Sequence, residues 1–413
     1  MGIRVVQLNG GVFGSTGKIM FGIADSVEKS GGLCRCYSPI TTTNRRQEPN
    51  HAYSRIGTFF SRRLNVLLER ITGLSGCFSL LSTMRMLREW RSFAPDIIQL
   101  HNIHGSFVNL PMLFRFSKKY DVPIVWTLHD CWAFTGHCAH YTMAGCSKWV
   151  SGCRACPQYR EYPKSWFDNA AMMYRLKKRW LTDLKRLTIV TPSVWLSEEV
   201  SKSYLKDHSL TVIHNGIDLA VFKPTPSAFR EKYHIPKGKM ILLGVAFGWG
   251  RKKGLDVFVA LAARLDPEKY QIVLVGTDDH VDKKLPPCII SIHRTADQQE
   301  LAEIYTAADL FVNPTREENY PTVNMEAIAC GTPVLTFRTG GSPEILNEKT
   351  GAVVDCDNIS LLEESVLKIS EQKSYDSGEC IEHAKSFDMN VTYEEYLRVY
   401  KEVLGESAAT NTV

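Results

Sequence analysis

Short apolar runs alternate with longer amphipathic stretches along the whole chain, and they fall into two series. Residues 3–8, 97–100, 123–128, 187–191 and 210–214 form the first; 240–245, 271–275, 310–313, 334–337 and 351–354 form the second. Runs that are apolar throughout, separated by helix-length segments, suit parallel strands covered on both faces. Two such series predict an α/β chain with two doubly wound sheets. At 413 residues the chain is longer than one core usually sustains, and its 44% hydrophobic content can fill two. The expected division is 1–220 and 221–390, with Pro224-Thr225-Pro226 as linker. A last helix is expected over 391–404, carrying Tyr393, Tyr396, Leu397, Val399 and Tyr400.

No run of eighteen apolar residues occurs, and the apolar start is too short for a signal peptide, so a cytoplasmic protein is expected. The net charge of +5 is modest and no nucleic-acid partner is expected, but basic residues bunch on two amphipathic stretches. One holds Phe59, Phe60, Arg62, Arg63, Leu67, Leu68 and Arg70; the other holds Arg175, Lys177, Lys178, Arg179, Lys185 and Arg186 among Met172, Met173, Leu176, Trp180, Leu181 and Leu184. Each reads either as a core helix with a solvated basic face or as a helix that lies on anionic lipid.

Two carboxylates stand eight positions apart, Glu318 and Glu326, in Arg316-Glu317-Glu318-Asn319-Tyr320-Pro321-Thr322-Val323-Asn324-Met325-Glu326. Pro321 suits the first helical position and Gly331 the position past the last, which predicts a helix over 321–330. Glu318 then precedes a helix N-terminus, where free N–H groups attract phosphate, and Glu326 projects from within the helix. Alone, this spacing is also common on acidic surfaces. After the strand at 334–337, Thr339-Gly340-Gly341-Ser342-Pro343-Glu344 repeats the pattern, with Ser342 as N-cap and Pro343 as first helical residue. Two helix starts at strand ends would face one crevice.

Together these segments resemble the donor-binding half of the retaining GT-B glycosyltransferases of family 4. His214-Asn215-Gly216-Ile217-Asp218, followed by Phe222 and Pro224, resembles the segment at that family's domain junction. The resemblance implies a GT-B fold, two facing Rossmann-like domains around a central cleft, with the 391–404 helix crossing back to the first. It implies that Glu318 contacts the transferred sugar and Glu326 the nucleotide ribose, with Asn319, Tyr320, Thr322, Gly340 and Gly341 around the donor. Backbone near Arg294 and Thr295 would meet the base.

Arg251-Lys252-Lys253-Gly254 follows the strand at 240–245 and could clamp a diphosphate as charge develops on it. Lys253 matches the family's lysine. The arginine that usually precedes it by five or six residues is replaced by Gly248 and Phe247, so Arg251 or Lys252 is left to supply the second charge. The loop Gly10-Gly11-Val12-Phe13-Gly14-Ser15-Thr16-Gly17-Lys18-Ile19 is not a P-loop: five residues separate Gly11 from Gly17, and Ile19 stands where a Ser or Thr would hold Mg²⁺. In the family this loop lies over the donor, which makes Gly14 and Gly17 candidates. His129, at the end of the strand at 123–128, matches a histidine that positions the sugar; His101 and His104 end the strand at 97–100.

Twelve cysteines in a cytoplasmic chain argue against disulfides. Five of them, Cys131, Cys138, Cys146, Cys153 and Cys156, fall close together in a stretch without hydrophobic periodicity. Cys138, Cys146, Cys153 and Cys156 could form a tetrahedral structural zinc site; the alternative is a set of reduced thiols packed with Trp132, Phe134 and Trp149.

The expected enzyme is therefore a retaining hexosyltransferase. It would move a sugar from a nucleotide-diphosphate donor to a lipid-linked oligosaccharide in surface polysaccharide synthesis, such as capsule, exopolysaccharide or O-antigen. No catalytic cofactor is expected; no Asp-x-Asp metal motif is read, so transfer independent of Mg²⁺ is expected, and contact with the anionic inner membrane would be peripheral. A nucleotide-sugar 2-epimerase of the same fold, or a non-enzymatic scaffold, are the alternatives.

Overall fold

Residues 2–46, 49–372 and 374–405 are described by the computed structural model. The chain divides into two compact units, 1–213 together with the C-terminal residues from Thr392, and 214–391. The division thus falls at Ile213/His214, ahead of the 220 expected, because the strand before it ends early and the next residues join the second unit's core.

The first unit contains β1 (Arg4–Leu8), α1 (Ser15–Lys29), β2 (Leu33–Pro39), β3 (Ser54–Ile56), α2 (Phe59–Thr72), α3 (Leu80–Phe93), β4 (Ile97–Leu100), α4 (Leu110–Tyr120), β5 (Ile124–Thr127), α5 (Ala170–Thr182), β6 (Leu187–Thr191), α6 (Val194–Ser201) and β7 (Ser209–Val212). Its seven strands are ordered β3-β2-β1-β4-β5-β6-β7, and all pairs are parallel. Sequence order reverses between β1 and β4, which is where an open parallel sheet places a ligand at its carboxyl edge.

The second unit runs through α7 (Phe229–Lys232), β8 (Met240–Val245), α8 (Leu255–Arg264), β9 (Tyr270–Val275), α9 (Asp279–Asp282), β10 (Ile290–Ile292), α10 (Gln298–Ala307), β11 (Leu310–Asn313), α11 (Thr322–Ala329), β12 (Val334–Phe337), β13 (Gly351–Val354), α12 (Ile359–Gln372) and α13 (Ser377–Ala384). The order β10-β9-β8-β11-β12-β13, again parallel, reverses between β8 and β11. Successive residues serve opposite faces: Ile241, Leu243 and Phe311 enter one core, and Leu242, Leu310 and Val312 the other. Each such burial contributes about 1.5–3 kcal/mol, so neither face tolerates polar alternation.

The last helix, α14 (Met389–Leu404), returns three tyrosines to the first unit. Tyr396 Oη lies 3.0 Å from Thr127 Oγ1, and Tyr400 Oη donates to Gln99 Oε1 at 2.9 Å. A Cβ at Gly22 would strike the Tyr393 ring. Three strands were not legible in the sequence. β2 mixes arginine and cysteine and leaves its first half solvent-facing, while β3 and β10 are three-residue edge strands.

Candidate active site

In the second unit the loops that follow β8 and β11 meet at the topological switch. Arg251–Lys253 form one short 3₁₀ turn, and Lys253 Nζ reaches Glu318 Oε2 at 2.6 Å. Lys252 Nζ pairs with the buried Glu317 at 2.6 Å. Arg251 makes no ion pair among the described residues and stands exposed beside them. Beneath them Arg316, 5% exposed at its side chain, ties the loops together. It takes both oxygens of Asp256 at 2.7 and 2.8 Å, Asp357 at 2.6 Å and the carbonyl of Arg251, while its own N–H donates to Lys252 O. Fork-shaped pairing of this kind fixes geometry as well as charge.

The segment 314–321 leads into α11 with Pro321 at the cap, one residue earlier than its expected place inside the helix. Glu318 therefore sits before a helix start, and its Oε1 accepts from Asn319 N–H at 3.2 Å. Glu326, on α11, accepts from Tyr305 Oη at 3.1 Å. The Gly340 turn presses against this loop. Its φ is +53°, and a Cβ there would lie 2.0 Å from Glu318 O, so only glycine fits. Gly341 N–H donates to Asn319 O at 2.6 Å. The turn does not open a second α-helix as expected: Ser342–Ile345 is a four-residue 3₁₀ turn with Gly341 in the cap position. Ser342 Oγ and Asn324 Nδ2, both fully buried, lack hydrogen-bond partners among the described residues.

In the first unit the corresponding loops carry imidazoles. Gln7, on β1, donates its amide N–H groups to Met20 O at 2.8 Å and Cys34 Sγ at 3.3 Å, which turns its Oε1 toward His101 Nε2 at 3.0 Å. His101 Nε2 is then the donor and its Nδ1 the acceptor from His129 Nε2–H at 3.2 Å. This relay leaves His129 Nδ1 as an acceptor. Burial pushes His101 well below the ordinary histidine range, and burial with the nearby His104 pushes His129 down to about 4, so both rings are neutral near pH 7. The charge of the adjacent Asp130 works against that shift without cancelling it. Its carboxylate accepts from His104 Nε2 at 2.8 Å; although burial raises it, the charge and hydrogen bond of His104 outweigh that and hold it at about 2.

Two family models match the chain: Glycosyltransferase Family 4 over residues 45–221 and Glycosyl transferases group 1 over 239–372. The putative colanic acid biosynthesis glycosyl transferase WcaC of Escherichia coli (strain K12) is 25% identical over 65% of this chain and 66% of its own length. The D-inositol 3-phosphate glycosyltransferase of Arthrobacter sp. (strain FB24) is 35% identical over 36% of this chain and 38% of its own. The alignments thus span two thirds or less of these curated relatives. Anabaena Alr3699/HepE, in complex with UDP, superposes with a TM-score of 0.68 at 14% identity, covering 97% of this chain and all of that one. The chain belongs to family 4 of the GT-B glycosyltransferases.

Several family-derived expectations meet a different local structure. Gly14 is exposed at the start of α1, but Gly17 is buried, and a Cβ there would sit 2.5 Å from the Val12 backbone. Gly17 therefore packs the loop on its helix. Tyr320 is buried with its ring stacked on His214, centroids 4.7 Å apart, and its carbonyl accepts from Asn215 Nδ2 at 3.3 Å. Arg294 is exposed and Thr295 half-buried in the loop after β10; Thr322 opens α11. An Asp-x-Asp sequence does occur, Asp355-Cys356-Asp357, but Arg338 pairs with its first carboxylate and Arg316 with its second. Neither stands as an open metal ligand.

Proposed function

We propose that this chain transfers a hexose-type sugar, with retention, from a nucleotide diphosphate donor to a lipid-linked oligosaccharide in surface polysaccharide synthesis. The observation that carries the reading is the Lys253–Glu318 pair at the junction of β8 and β11. A cation held against the carboxylate of a helix-start loop becomes, with donor present, one group for the diphosphate and one for a sugar hydroxyl. Arg251 adds the second positive charge, and stabilisation of a departing diphosphate by preset cations is worth several kcal/mol. Glu326 would hold the ribose. His129, neutral and with its acceptor nitrogen set by Gln7 and His101, would accept a sugar hydroxyl and position it without moving a proton. Colanic acid synthesis in the name of the E. coli relative, and UDP bound to Alr3699/HepE, support polysaccharide assembly and a uridine nucleotide.

A lipid-linked acceptor fits the surface of α2. This helix begins in a capping box of Thr58 and Ser61 and is turned inside out: it buries Asn65 and Glu69 and exposes Phe60, Leu64, Leu67 and Ile71 along one face. Arg63 and Arg70 stand exposed on the same helix. Apolar side chains with flanking arginines suit the interfacial zone of an anionic bilayer. The second basic stretch is less suited, because Lys177 is buried and Arg186 pairs with Asp121. No helix among the described residues is long and apolar enough to cross a membrane.

The test is incubation with UDP-, GDP-, ADP- and dTDP-sugars, with and without a bacterial lipid-linked oligosaccharide fraction. Acceptor-dependent release of one nucleoside diphosphate, with an anomerically retained product by NMR, is expected. Conversion of the donor without acceptor would instead indicate epimerisation. Sedimentation with phosphatidylglycerol vesicles should be lost in Phe60→Ser/Leu64→Ser; equal sedimentation of both proteins rejects the α2 contact.

A further inference from the structure

Between β5 and α5 the chain runs from 128 to 169 with only one 3₁₀ turn, Lys148–Val150, yet it packs Trp132, Phe134, Tyr141 and Trp149 into the first unit's core. So long a stretch without secondary structure needs something else to fix it. Cys138, Cys146, Cys153 and Cys156, free thiols drawn from the length of this loop, line one cavity of about 10 Å³. That is room for a single atom-sized occupant and little more. Cys131, buried at the strand end, is not among the lining residues.

Three polar groups stand at or beside the cavity, and two of them, Gly136 N–H and Lys177, favour negative charge inside it. Gly136 N–H donates to Cys153 Sγ at 3.1 Å, a bond that strengthens when the sulfur is a thiolate. His137 Nε2, also at the cavity wall, is fully buried with no hydrogen-bond partner among the described residues. Lys177 is 1% exposed and has no ion pair among the described residues; its Nζ donates to Trp132 O at 2.5 Å and lies 3.9 Å from the Trp132 ring centroid. Its electrostatic neighbours are Cys153, Cys138 and Asp130. A buried ammonium beside neutral thiols is costly, whereas one beside a metal tetrathiolate faces two net negative charges.

We propose that Cys138, Cys146, Cys153 and Cys156 bind one zinc ion as four thiolates, with Lys177 balancing part of the charge. Binding releases the four thiol protons to solvent and leaves a site of net charge −2. Zinc–sulfur bonds of about 2.3 Å place the sulfurs about 3.8 Å apart. Among the described residues only the exposed Asp279, Asp282 and His293 bring three ligand atoms within 4.8 Å of one another, so the four sulfurs must draw together on binding. Cys146, Cys153 and Cys156 are half-buried on irregular backbone, so no helix or strand fixes where their sulfurs lie. The ion staples the loop that follows His129; it takes no part in transfer.

The test uses full-length protein purified without chelator. Elemental analysis should find one zinc per chain that survives gel filtration, absent from Cys153→Ser/Cys156→Ser and kept in Cys131→Ser. Should the double variant not fold, wild-type protein exchanged into Co²⁺ should show the intense visible bands of tetrahedral thiolate ligation. Lys177→Met should weaken zinc retention against a competing chelator by roughly 10–100-fold, the usual cost of losing an outer-shell partner. Metal-free wild type whose four thiols alkylate readily, or zinc retained in the double variant, overturns the site; iron in place of zinc does so as well.

Discussion

The two units share one plan, a parallel sheet with its order reversed once, but they furnish the reversal point with opposite chemistry. The second sets formal charges there: Lys252, Lys253, Glu317 and Glu318 in pairs, braced by Arg316. The first sets neutral rings, His101 and His129, oriented by an amide and kept uncharged by burial, and turns the ionised carboxylate of Asp130 to His104. Charge suits a diphosphate, whose negative oxygens need cations. Neutral acceptors suit sugar hydroxyls, whose position matters more than their charge. The difference teaches that one scaffold can present quite different polar groups at equivalent strand ends.

Breaking the charged half should cost most. Lys253→Met, which removes one diphosphate cation and frees Glu318, is expected to lower kcat by about 10²–10³-fold. A loss under tenfold would place the phosphates elsewhere. Glu318→Gln keeps the shape and removes the charge; misplacing the sugar should cost about 10²-fold in kcat. Glu326→Ala should act on binding, raising the donor Kd by roughly ten- to a hundredfold, the worth of about 1.5–3 kcal/mol for a hydrogen bond to a charged group. Calorimetric titration distinguishes this from an effect on turnover.

The neutral half should be more forgiving. Gln7→Leu removes the group that sets the imidazole tautomers without touching His129. Turnover should fall by about tenfold, near the worth of one hydrogen bond, with the donor KM little changed. A KM effect alone would argue against the relay. The last effect is on stability and shows only at acid pH. His129 is held near 4, below its ordinary 6.5, so the unfolded chain takes up a proton in that interval that the folded chain refuses. Stability is therefore complete above about pH 6.5 and declines as pH falls toward 4. Thermal melts across that range should decline less steeply for His129→Asn; parallel curves would mean the ring is not held neutral.

Legibility followed the same divide. Strands apolar on both faces, such as 240–245 and 310–313, announce themselves, whereas β2, half exposed and interrupted by Arg35, does not. Glu318, Glu326 and Lys253 were readable because local spacing around Pro and Gly fixes where they project. Arg316 was not, since its partners Asp256 and Asp357 lie far off in sequence and nothing local marks them. The same holds for Gln7, read as an ordinary strand residue although its amide orients His101 across the sheet. Lys177 misled in the opposite direction: helical spacing placed it on a basic face, but Trp132 draws it inside. The inverted face of α2 was also hidden, because an amphipathic period does not say which side is buried.

Titrating wild type and Lys253→Met with UDP-, GDP-, ADP- and dTDP-sugars by calorimetry tests the charged half-site most directly. One donor should bind wild type saturably, and the variant at least tenfold more weakly. No binding across the panel, or equal affinity in the two proteins, would contradict the assignment of the β8–β11 junction as the diphosphate site.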